Sequence, residues 1–327
     1  MNASAGGAVT TMKKGENTVR YDIVMVTYNS MKWLRACVAA LAAVQYPLEE
    51  LHLVFADNGS TDGTLEELRR MAGEYPAFGG FTVAENGANL GFGAACNRGA
   101  AKGSAPLLFF LNLDTEVWPD VFLRLDEAAV RAPQETAAFE CRQLPYETGH
   151  HIDPVTLETS WASGAALAVR RAAFTSVGGF DEHLFMYCED VDLSWRLRAG
   201  GYRLQYVPAA RVTHYSYENG GPKLGEYAGS FYGNLLLRYK FGSWRDIWRG
   251  HKMYLGALRR PLHFNGVRRV LAKNYLRHFI KLWPFLFWRF SHRAEYGARP
   301  ARFEGGFSPD RGPVSYTHLR AHETLSD

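Results

Sequence analysis

The stretch Leu53-Val54-Phe55-Ala56-Asp57-Asn58-Gly59-Ser60-Thr61-Asp62-Gly63-Thr64 decides the fold of this chain. Its apolar first half predicts a buried strand, and the polar turn that follows leads into a helical pattern over 64–71. The same order of a short strand and a helix recurs on either side of this stretch. Further strands are predicted at 23–26, 81–83 and 107–111, and further helices at 32–44 and 91–101.

Alternation of strand and helix over the first 135 residues predicts an α/β fold, with a mainly parallel sheet and helices on both faces. Ligands of such sheets bind beyond the carboxyl ends of the strands. Polar segments follow those ends here, so we expect four loops to form one crevice. These loops are Thr27-Tyr28-Asn29, 57–64, 89–93 and Asn112-Leu113-Asp114.

Beyond residue 135 the alternation is lost, and the next clear element is a helix over 190–199 that Gly200 ends. We therefore divide a predicted domain at 21–234 into two halves, 21–135 and 136–234.

The two ends of the chain are expected to lie outside this domain. Residues 1–20 lack the apolar segment of a secretory signal peptide and are predicted to be a disordered lead-in. Residues 313–327 resemble translated sequencing-adapter DNA, so we interpret them as a non-native tail.

Charge is distributed unevenly along the chain. The whole sequence has 37 Lys or Arg and 33 Asp or Glu, a formal net charge of +4. Residues 235–300 contain fifteen basic and two acidic residues, so they carry +13 and the remainder −9. Tryptophan, phenylalanine and tyrosine are interleaved with these charges, which is typical of helices that lie on an anionic membrane surface. We predict a basic amphipathic helical region of this kind at 235–312.

A solvated basic surface is the alternative for this region, and nucleic-acid binding is disfavoured because no recognised nucleic-acid motif accompanies the charge.

No stretch reaches the roughly 18 apolar residues of a spanning helix. The four cysteines are far apart, which indicates neither a disulfide framework nor a zinc site. We expect a cytoplasmic protein that is peripherally associated with the inner face of the cell membrane.

Three aspartates and one histidine each have a chemical and a structural interpretation. Asp57 could accept the imide N–H of uracil or thymine, or hold its own turn, and Asp62 is favoured as a turn or N-cap residue. Asp114 could bind a divalent cation or cap the fourth helix. His214, 24 residues after Asp190, could be a metal ligand or a structural histidine.

The run Glu189-Asp190-Val191-Asp192 places three acids at the start of a helix. Acids are favourable there because of the helix dipole, whereas the apolar residues before them could shield a carboxylate and raise its proton affinity, as a general base requires. The glycines of Gly91-Phe92-Gly93 do not form a dinucleotide loop, since Cys96 occupies the place of the third glycine. We expect them to permit close approach of the backbone.

Six segments, in the correct order, resemble family 2 glycosyltransferases, and within that family the chain is most similar to bacterial rhamnosyltransferase-like members. The segments are 26–29, 57–64, 89–97, 111–114, 163–165 and 178–198, the most specific being Glu-Asp-Val-Asp-Leu-Ser-Trp-Arg at 189–196. The resemblance implies a GT-A fold, which is a Rossmann-like, mostly parallel sheet with flanking helices. It also implies that 21–135 is the nucleotide-binding half of the domain and 136–234 the acceptor half. It also implies inverting transfer from a nucleoside-diphosphate sugar, a UDP- or dTDP-sugar, to a glycan or lipid-linked acceptor of the cell envelope.

The same resemblance implies roles for individual residues. Asp190 would be the general base, Glu189 and Gly164 would contact the acceptor, and Asp114 and His214 would hold a divalent cation, Mg²⁺ or Mn²⁺, at the diphosphate. The implied nucleotide-binding residues are Thr27, Tyr28, Asn29, Asp57, Asn97 and Asp114.

Two departures from the family pattern refine these expectations. Asn112 stands where many members have an aspartate, which leaves more of the metal coordination to His214 and the diphosphate. The Gln-x-x-Arg-Trp signature of processive synthases is missing, so we expect addition of a single sugar. A non-catalytic protein that binds a sugar nucleotide or acts as a scaffold is the alternative function.

Overall fold

The computed structural model describes residues 9–12, 19–147, 150–215, 224–259 and 266–292. Within these residues, nine strands form one sheet in the order β1-β4-β3-β2-β5-β8-β7-β9-β6. The strands are β1 (Val9–Met12), β2 (Tyr21–Thr27), β3 (Leu51–Asp57), β4 (Gly80–Glu85), β5 (Leu107–Leu111), β6 (Thr115–Val117), β7 (Thr136–Leu144), β8 (Ala166–Arg170) and β9 (Arg203–His214).

The first half of the sheet is parallel at its centre. β2 pairs in parallel with β3 and β5, and β3 pairs in parallel with β4. Every residue of β3 and β5 is buried, which is the pattern of parallel strands that helices cover on both faces. The predicted alternation of strands and helices is therefore confirmed.

The second half of the sheet changes direction. β8 runs antiparallel to β5 and β7, while β9 runs parallel to β7 and antiparallel to β6. The sequence indicates two short strand segments within β9, whereas the structure forms one strand of 12 residues. This strand places His214 opposite Thr115 of β6.

Ten helices flank the sheet within the described residues. They are α1 (Met31–Ala42), α2 (Thr64–Glu74), α3 (Phe92–Ala100), α4 (Val121–Arg131), α5 (Arg171–Ser176), α6 (Glu189–Ala199), α7 (Leu224–Phe241), α8 (Trp244–Arg259), α9 (Val267–Lys281) and α10 (Trp283–Ser291). The fourth helix has Asp120 as its N-cap residue, so the suggestion that Asp114 caps it is wrong.

The C-terminal helices share an apolar core with the sheet domain. Val191 and Trp195 of α6 belong to one buried cluster with residues of α7, α8, α9 and α10. The predicted boundary at 234/235 falls inside α7, where the chain is helical and packed. No linker separates the basic region from the sheet domain at this point.

Two further sequence predictions concern the ends of the chain. Residues 9–12, within the predicted disordered lead-in, instead form β1, because the Val-Thr-Thr-Met segment adds an antiparallel edge to β4. The predicted non-native tail at 313–327 lies outside the described residues. Across the part of the chain that the structure covers, no helix is long and apolar enough to span a bilayer.

Candidate active site

The turn after β3 is held by the carboxylate of Asp57. Its Oδ2 accepts hydrogen bonds from the N–H groups of Gly59 (3.1 Å) and Ser60 (3.0 Å), and its Oδ1 accepts from the hydroxyls of Thr27 (2.8 Å) and Ser60 (2.6 Å). A carboxylate can accept about four hydrogen bonds, and Asp57 already accepts four from residues of this chain. Asp57 therefore holds its own turn, and its contact with a nucleobase stays a prediction.

The loop after β2 is tied to this turn through Asn29, whose φ of +52° lies in the left-handed region that asparagine tolerates. The N–H of Asn29 donates to the hydroxyl of Ser60 (3.0 Å), and its Oδ1 accepts from the N–H of Thr61 (2.8 Å). The neighbouring Tyr28 is half exposed just beyond the end of β2. An exposed ring between two ordered loops is suited to stack on a nucleobase.

Asp62 joins the starts of α1 and α2. Its Oδ1 accepts from the N–H of Thr64 (3.1 Å), and its Oδ2 accepts from the N–H of Met31 (3.2 Å). Desolvation favours a higher pKa for Asp62, but these hydrogen bonds and one from the Thr64 hydroxyl lower the pKa below its ordinary value. The favoured interpretation of Asp62 as a turn residue is confirmed.

The loop before α3 joins the crevice through Asn58 and Gly91. The amide of Asn58 donates to the carbonyl of Gly91 (3.1 Å) and accepts from the amide of Asn86 (2.9 Å). Gly91 has a φ of +89°, and a Cβ there would lie 2.1 Å from the carbonyl oxygen of Phe185. The N–H of Phe92 donates to that same oxygen (2.9 Å). This contact confirms that glycine permits close backbone approach, and it docks the segment before α6 on this loop.

Asn97 of α3 faces the second half of the chain. Its Nδ2 donates to the carbonyl of Phe180 (2.9 Å) and to the carboxylate of Glu182 (3.1 Å), and its Oδ1 accepts from the N–H of Phe180 (2.9 Å). Both ends of the amide therefore bind the main chain at Phe180. Asn97 therefore connects α3 to the segment before α6. Its predicted contact with the nucleotide stays a prediction.

Asp114 and His214 meet because β6 pairs with the end of β9. The Nε2 of His214 lies 3.4 Å from the Oδ1 of Asp114. The Nδ1 of His214 lies 2.7 Å from the Oε1 of Gln143, and since an amide oxygen only accepts, Nδ1 carries the proton. In the neutral ring the lone pair is then on Nε2, the atom that faces Asp114. A histidine held in this way by its second nitrogen is typical of metal ligands.

These two side chains fit a divalent cation as a partial ligand set. Among the residues that the structure describes, no group of three or more His, Cys, Asp or Glu could hold a metal ion. Oxygen atoms of a bound diphosphate would therefore have to complete the coordination. The sequence does not mark Gln143 as a functional residue, because its contact with His214 depends on the pairing of β7 with β9.

Asp190 lies part-buried at the start of α6. Its Oδ2 accepts from the N–H of Gly164 (3.1 Å), and its Oδ1 accepts from the N–H of Val191 (2.8 Å). Burial raises the pKa of Asp190, these two hydrogen bonds oppose the rise, and the nearby charge of Glu140 adds to it. The net pKa lies above the ordinary range of an aspartate. Gly164 thus contacts Asp190 directly, whereas its predicted contact with the acceptor stays a prediction.

The turn that aims Asp190 has an uncommon backbone. Tyr187 and Cys188, the two residues before α6, have φ values of +71° and +72°, a conformation that costs about 1–3 kcal/mol for a residue other than glycine. Two glycines of α7 pack against them. A Cβ at Gly229 would lie 2.3 Å from the ring of Tyr187, and one at Gly233 would lie 2.8 Å from the Tyr187 carbonyl oxygen. Helix α7 therefore packs against the turn that precedes Asp190.

Glu189 is buried at the start of α6. It is only 6% exposed, and a Cβ at Gly93 of α3 would lie 3.6 Å from the Glu189 Cβ. Burial, followed by the charge of Asp190, raises the pKa of Glu189 well above its ordinary value. Its predicted contact with the acceptor stays a prediction.

Asp192 belongs to a buried ionic network. Its Oδ2 accepts from Arg196 Nε (2.7 Å), and its Oδ1 accepts from the Lys240 ammonium, which also donates to Asp181 (2.7 Å). Asp192 and Lys240 are almost fully buried. The network ties α6 to α7, which agrees with a structural interpretation of Asp192.

Two family models match the sequence. The model described as "Glycosyl transferase family 2" matches residues 22–191, and "Glycosyl transferase family group 2" matches residues 153–292. The N-acetylglucosaminyl-diphospho-decaprenol L-rhamnosyltransferase of Mycobacterium tuberculosis is 33% identical over 245 residues, which are 61% of this chain and 77% of the relative. Rhamnosyltransferase WbbL of Escherichia coli K12 is 48% identical over 59 residues, 18% of this chain and 22% of the relative.

The fold is similar to that of a solved enzyme. The mannosyltransferase PcManGT from Pyrobaculum calidifontis, in complex with GDP-Man and Mn²⁺, superposes with a TM-score of 0.53 at 19% identity. The superposition covers 94% of this chain and 80% of that one. The likeness concerns the fold, and it confirms the GT-A architecture that the sequence predicts.

Proposed function

The chain belongs to glycosyl transferase family 2 and is a glycosyltransferase similar to rhamnosyltransferases, and from this premise we propose an inverting transfer of one sugar with Asp190 as the general base. The observation that carries the proposal is the Asp190 carboxylate. Two main-chain N–H groups fix it at the start of α6, and its raised pKa suits it to take a proton from a hydroxyl.

In the proposed reaction, a hydroxyl of the acceptor transfers its proton to a carboxylate oxygen of Asp190. The hydroxyl oxygen forms a bond to the anomeric carbon of the donor sugar from the side opposite the diphosphate. The bond between that carbon and the diphosphate breaks, and its electron pair leaves with the diphosphate. A single displacement of this kind inverts the configuration at the anomeric carbon.

A divalent cation, Mg²⁺ or Mn²⁺, would be held by Asp114 and His214 and would neutralise charge on the leaving diphosphate. The proposal is supported by the 3.4 Å separation of the two side chains and by the tautomer that Gln143 imposes on His214. The similar fold of PcManGT was solved with Mn²⁺ and GDP-Man. The chain itself would hold the side chains of Asp114 and His214 in place for the cation.

The donor in this proposal is a nucleoside-diphosphate sugar, a UDP- or dTDP-sugar, whose nucleotide lies between Thr27, Tyr28, Asn29 and the Asp57 turn. A rhamnosyl donor and a lipid-linked acceptor are supported by the names of the two relatives, one of which acts on N-acetylglucosaminyl-diphospho-decaprenol. Thermal-shift titrations with UDP-, dTDP- and GDP-sugars would identify the nucleotide.

A lipid-linked acceptor requires contact with a membrane, and the C-terminal helices support such a contact at the inner face of the cell membrane. Six large apolar side chains are exposed along α9 and α10. They are Leu276, Phe279, Ile280, Trp283, Phe287 and Phe290. Lys273, Arg277 and Lys281 are exposed on α9 at a spacing of four residues. An apolar stripe bordered by basic residues is suited to lie in the plane of an anionic bilayer.

The proposal is tested with Asp190→Asn, which keeps the size of the side chain but cannot accept the proton. We expect transfer from dTDP-L-rhamnose to N-acetylglucosaminyl-diphospho-polyprenol to fall about 10²- to 10⁴-fold, with donor affinity unchanged by calorimetry. Glu66→Gln, at an exposed carboxylate on α2, is the matched control. Full activity of Asp190→Asn would exclude this base, and donor binding without turnover by the unmodified protein would favour the non-catalytic alternative.

A further inference from the structure

A second buried carboxylate, Glu140 of β7, lies behind the proposed base. Its Oε2 is 2.8 Å from the Nε2 of His150, and both side chains are only 2% exposed. The ring of His150 packs against Trp161, with 4.8 Å between the ring centres. Although these two atoms are close, they do not form a hydrogen bond. A buried carboxylate oxygen without a hydrogen bond is costly, so packing of the core alone does not account for Glu140.

Glu140 is connected to Asp190 by a single turn of main chain. Its Oε1 accepts a hydrogen bond from the N–H of Ser163 (3.0 Å), and the next residue, Gly164, donates its N–H to Asp190 (3.1 Å). The carbonyl of Ala165 accepts from the N–H of Asn112 (2.9 Å) at the end of β5. The turn at 163–165 is therefore hydrogen-bonded to three elements, which are β7, α6 and the end of β5 that precedes Asp114.

The charges around Asp190 come from two sides. Glu189 and Asp192 lie beside it on α6, but Lys240 and Arg196 neutralise Asp192. Glu140 faces it from β7 and raises its proton affinity through the negative charge. Glu189 is buried on the α3 side. Glu140, in contrast, both accepts a hydrogen bond from the turn that holds Asp190 and raises the proton affinity of the Asp190 carboxylate.

We propose that Glu140, paired with His150, is a positioning residue for Asp190: it fixes the turn at Ser163 and Gly164 and places a negative charge behind the carboxylate. The first effect sets the direction in which Asp190 faces the acceptor. The second effect makes Asp190 a stronger proton acceptor, because a neighbouring negative charge disfavours its ionised form. This proposal rests on the proposed function in one respect only: the proton affinity of Asp190 matters for transfer if Asp190 is the general base.

Glu140→Gln separates the two effects, since the amide oxygen still accepts from Ser163 whereas the charge is removed. We expect the pKa of Asp190 to fall by at least about 0.5 unit, since one charge at close range shifts a pKa by about that much even when water screens it fully. The measurement is a ¹³C NMR titration of protein labelled at the aspartate carboxyl carbon, with the Asp190 signal identified by its loss in Asp190→Asn. An unchanged Asp190 pKa would overturn the proposal.

A second variant guards against misfolding of the first. His150→Asn replaces the ring by a polar side chain that cannot carry a charge, so the negative charge of Glu140 remains and the pKa of Asp190 should stay the same or rise. A fall of that pKa in His150→Asn would contradict the proposal. In the transfer assay, Glu140→Gln should shift the acidic limb of the kcat/KM profile to lower pH by the amount that NMR gives. If the NMR shift occurs without a kinetic shift, Glu140 still tunes Asp190, and it is the assignment of Asp190 as the base that fails.

Discussion

At the scale of single residues, the site depends on contacts that hold chemical groups in one protonation state or direction. Gln143 is the clearest case, because its amide oxygen sets which nitrogen of His214 faces Asp114. Contacts of this kind around metal-binding histidines contribute about 10- to 100-fold in metal affinity.

We therefore expect Gln143→Leu to raise the Mn²⁺ concentration that gives half-maximal transfer by about 10- to 100-fold. Direct Mn²⁺ binding in the presence of nucleoside diphosphate, followed by electron paramagnetic resonance, should weaken in parallel. Gln143→Glu retains an oxygen that accepts from Nδ1 and serves as the control. Equal Mn²⁺ requirements of the leucine variant and the unmodified protein would show that Gln143 has no part in metal binding, and activity that chelators leave unchanged would exclude the metal itself.

At the scale of secondary-structure elements, α7 connects the basic C-terminal region to the turn at Tyr187 and Cys188, which precedes the proposed base. The predicted domain boundary at 234/235 falls inside this helix. Two of its glycines pack against Tyr187 and Cys188, and its Lys240 forms an ion pair with Asp192. Removing residues from 235 onward would cut this helix. Point substitutions are therefore the appropriate test of what the C-terminal helices do.

Gly233→Ala should impair transfer more than it impairs folding. The added methyl group would lie 2.8 Å from the Tyr187 carbonyl and the Cys188 side chain, so the turn that aims Asp190 must shift. We expect a loss of activity of at least about tenfold, with secondary structure by circular dichroism retained. Gly256→Ala on α8, where nothing lies within 4 Å of the added group, is the matched control. Equal activity of the two variants would show that α7 does not position the base.

The proposed membrane face on α9 and α10 is tested by replacing its two most exposed side chains. Ile280 and Phe287 are 73% and 75% exposed, so Ile280→Ser with Phe287→Ser should leave the fold intact. Each apolar side chain contributes about 1.5–3 kcal/mol when buried, and we expect at least a tenfold loss of binding to phosphatidylglycerol vesicles in a flotation assay.

The matched control for this pair is Val130→Ser with Val155→Ser, which removes exposed apolar side chains from the sheet domain. Phosphatidylcholine vesicles should bind the unmodified protein less than anionic ones, and salt should weaken the difference. Vesicle binding that the two double variants retain equally would exclude α9 and α10 as the contact.

At the scale of the whole molecule, Glu189 and Asp181 should affect the pH dependence of the free energy of unfolding with opposite signs. Burial and the charge of Asp190 raise the folded-state pKa of Glu189. The folded protein then binds a proton more readily than the unfolded chain, so stability increases as the pH falls through that raised pKa. Glu189→Gln should remove this increase and should stabilise the protein at pH 8.

Asp181 has the opposite effect. Although burial favours a higher pKa, the Lys240 ammonium lowers the pKa of Asp181 from 3.8 to about 2. Its contribution is therefore fully present above pH 3.8 and is lost as the pH falls through 2, with a size of about 2 kcal/mol. Urea unfolding between pH 2 and 8 measures both effects, and Asp181→Asn should flatten the acidic part of the curve. A curve for that variant parallel to the unmodified one would contradict the assignment.

The local pattern of the sequence determined the order of strands and helices, the four polar loops and the acidic start of α6. These features follow from the periodicity of apolar residues and from turn residues, which act over a few positions. Asp62 as a turn residue and Gly91 as a point of close approach were predictable for the same reason.

The tertiary structure alone decided which of these residues face one another. The contacts of Glu140 with Ser163, of Gln143 with His214 and of Asn97 with Phe180 join residues 23, 71 and 83 positions apart. Strand order and register set these contacts, and no local pattern encodes either. Helix periodicity likewise places Glu189 and Asp190 side by side, but packing against α3 buries Glu189 while Asp190 receives the N–H of Gly164 at the crevice.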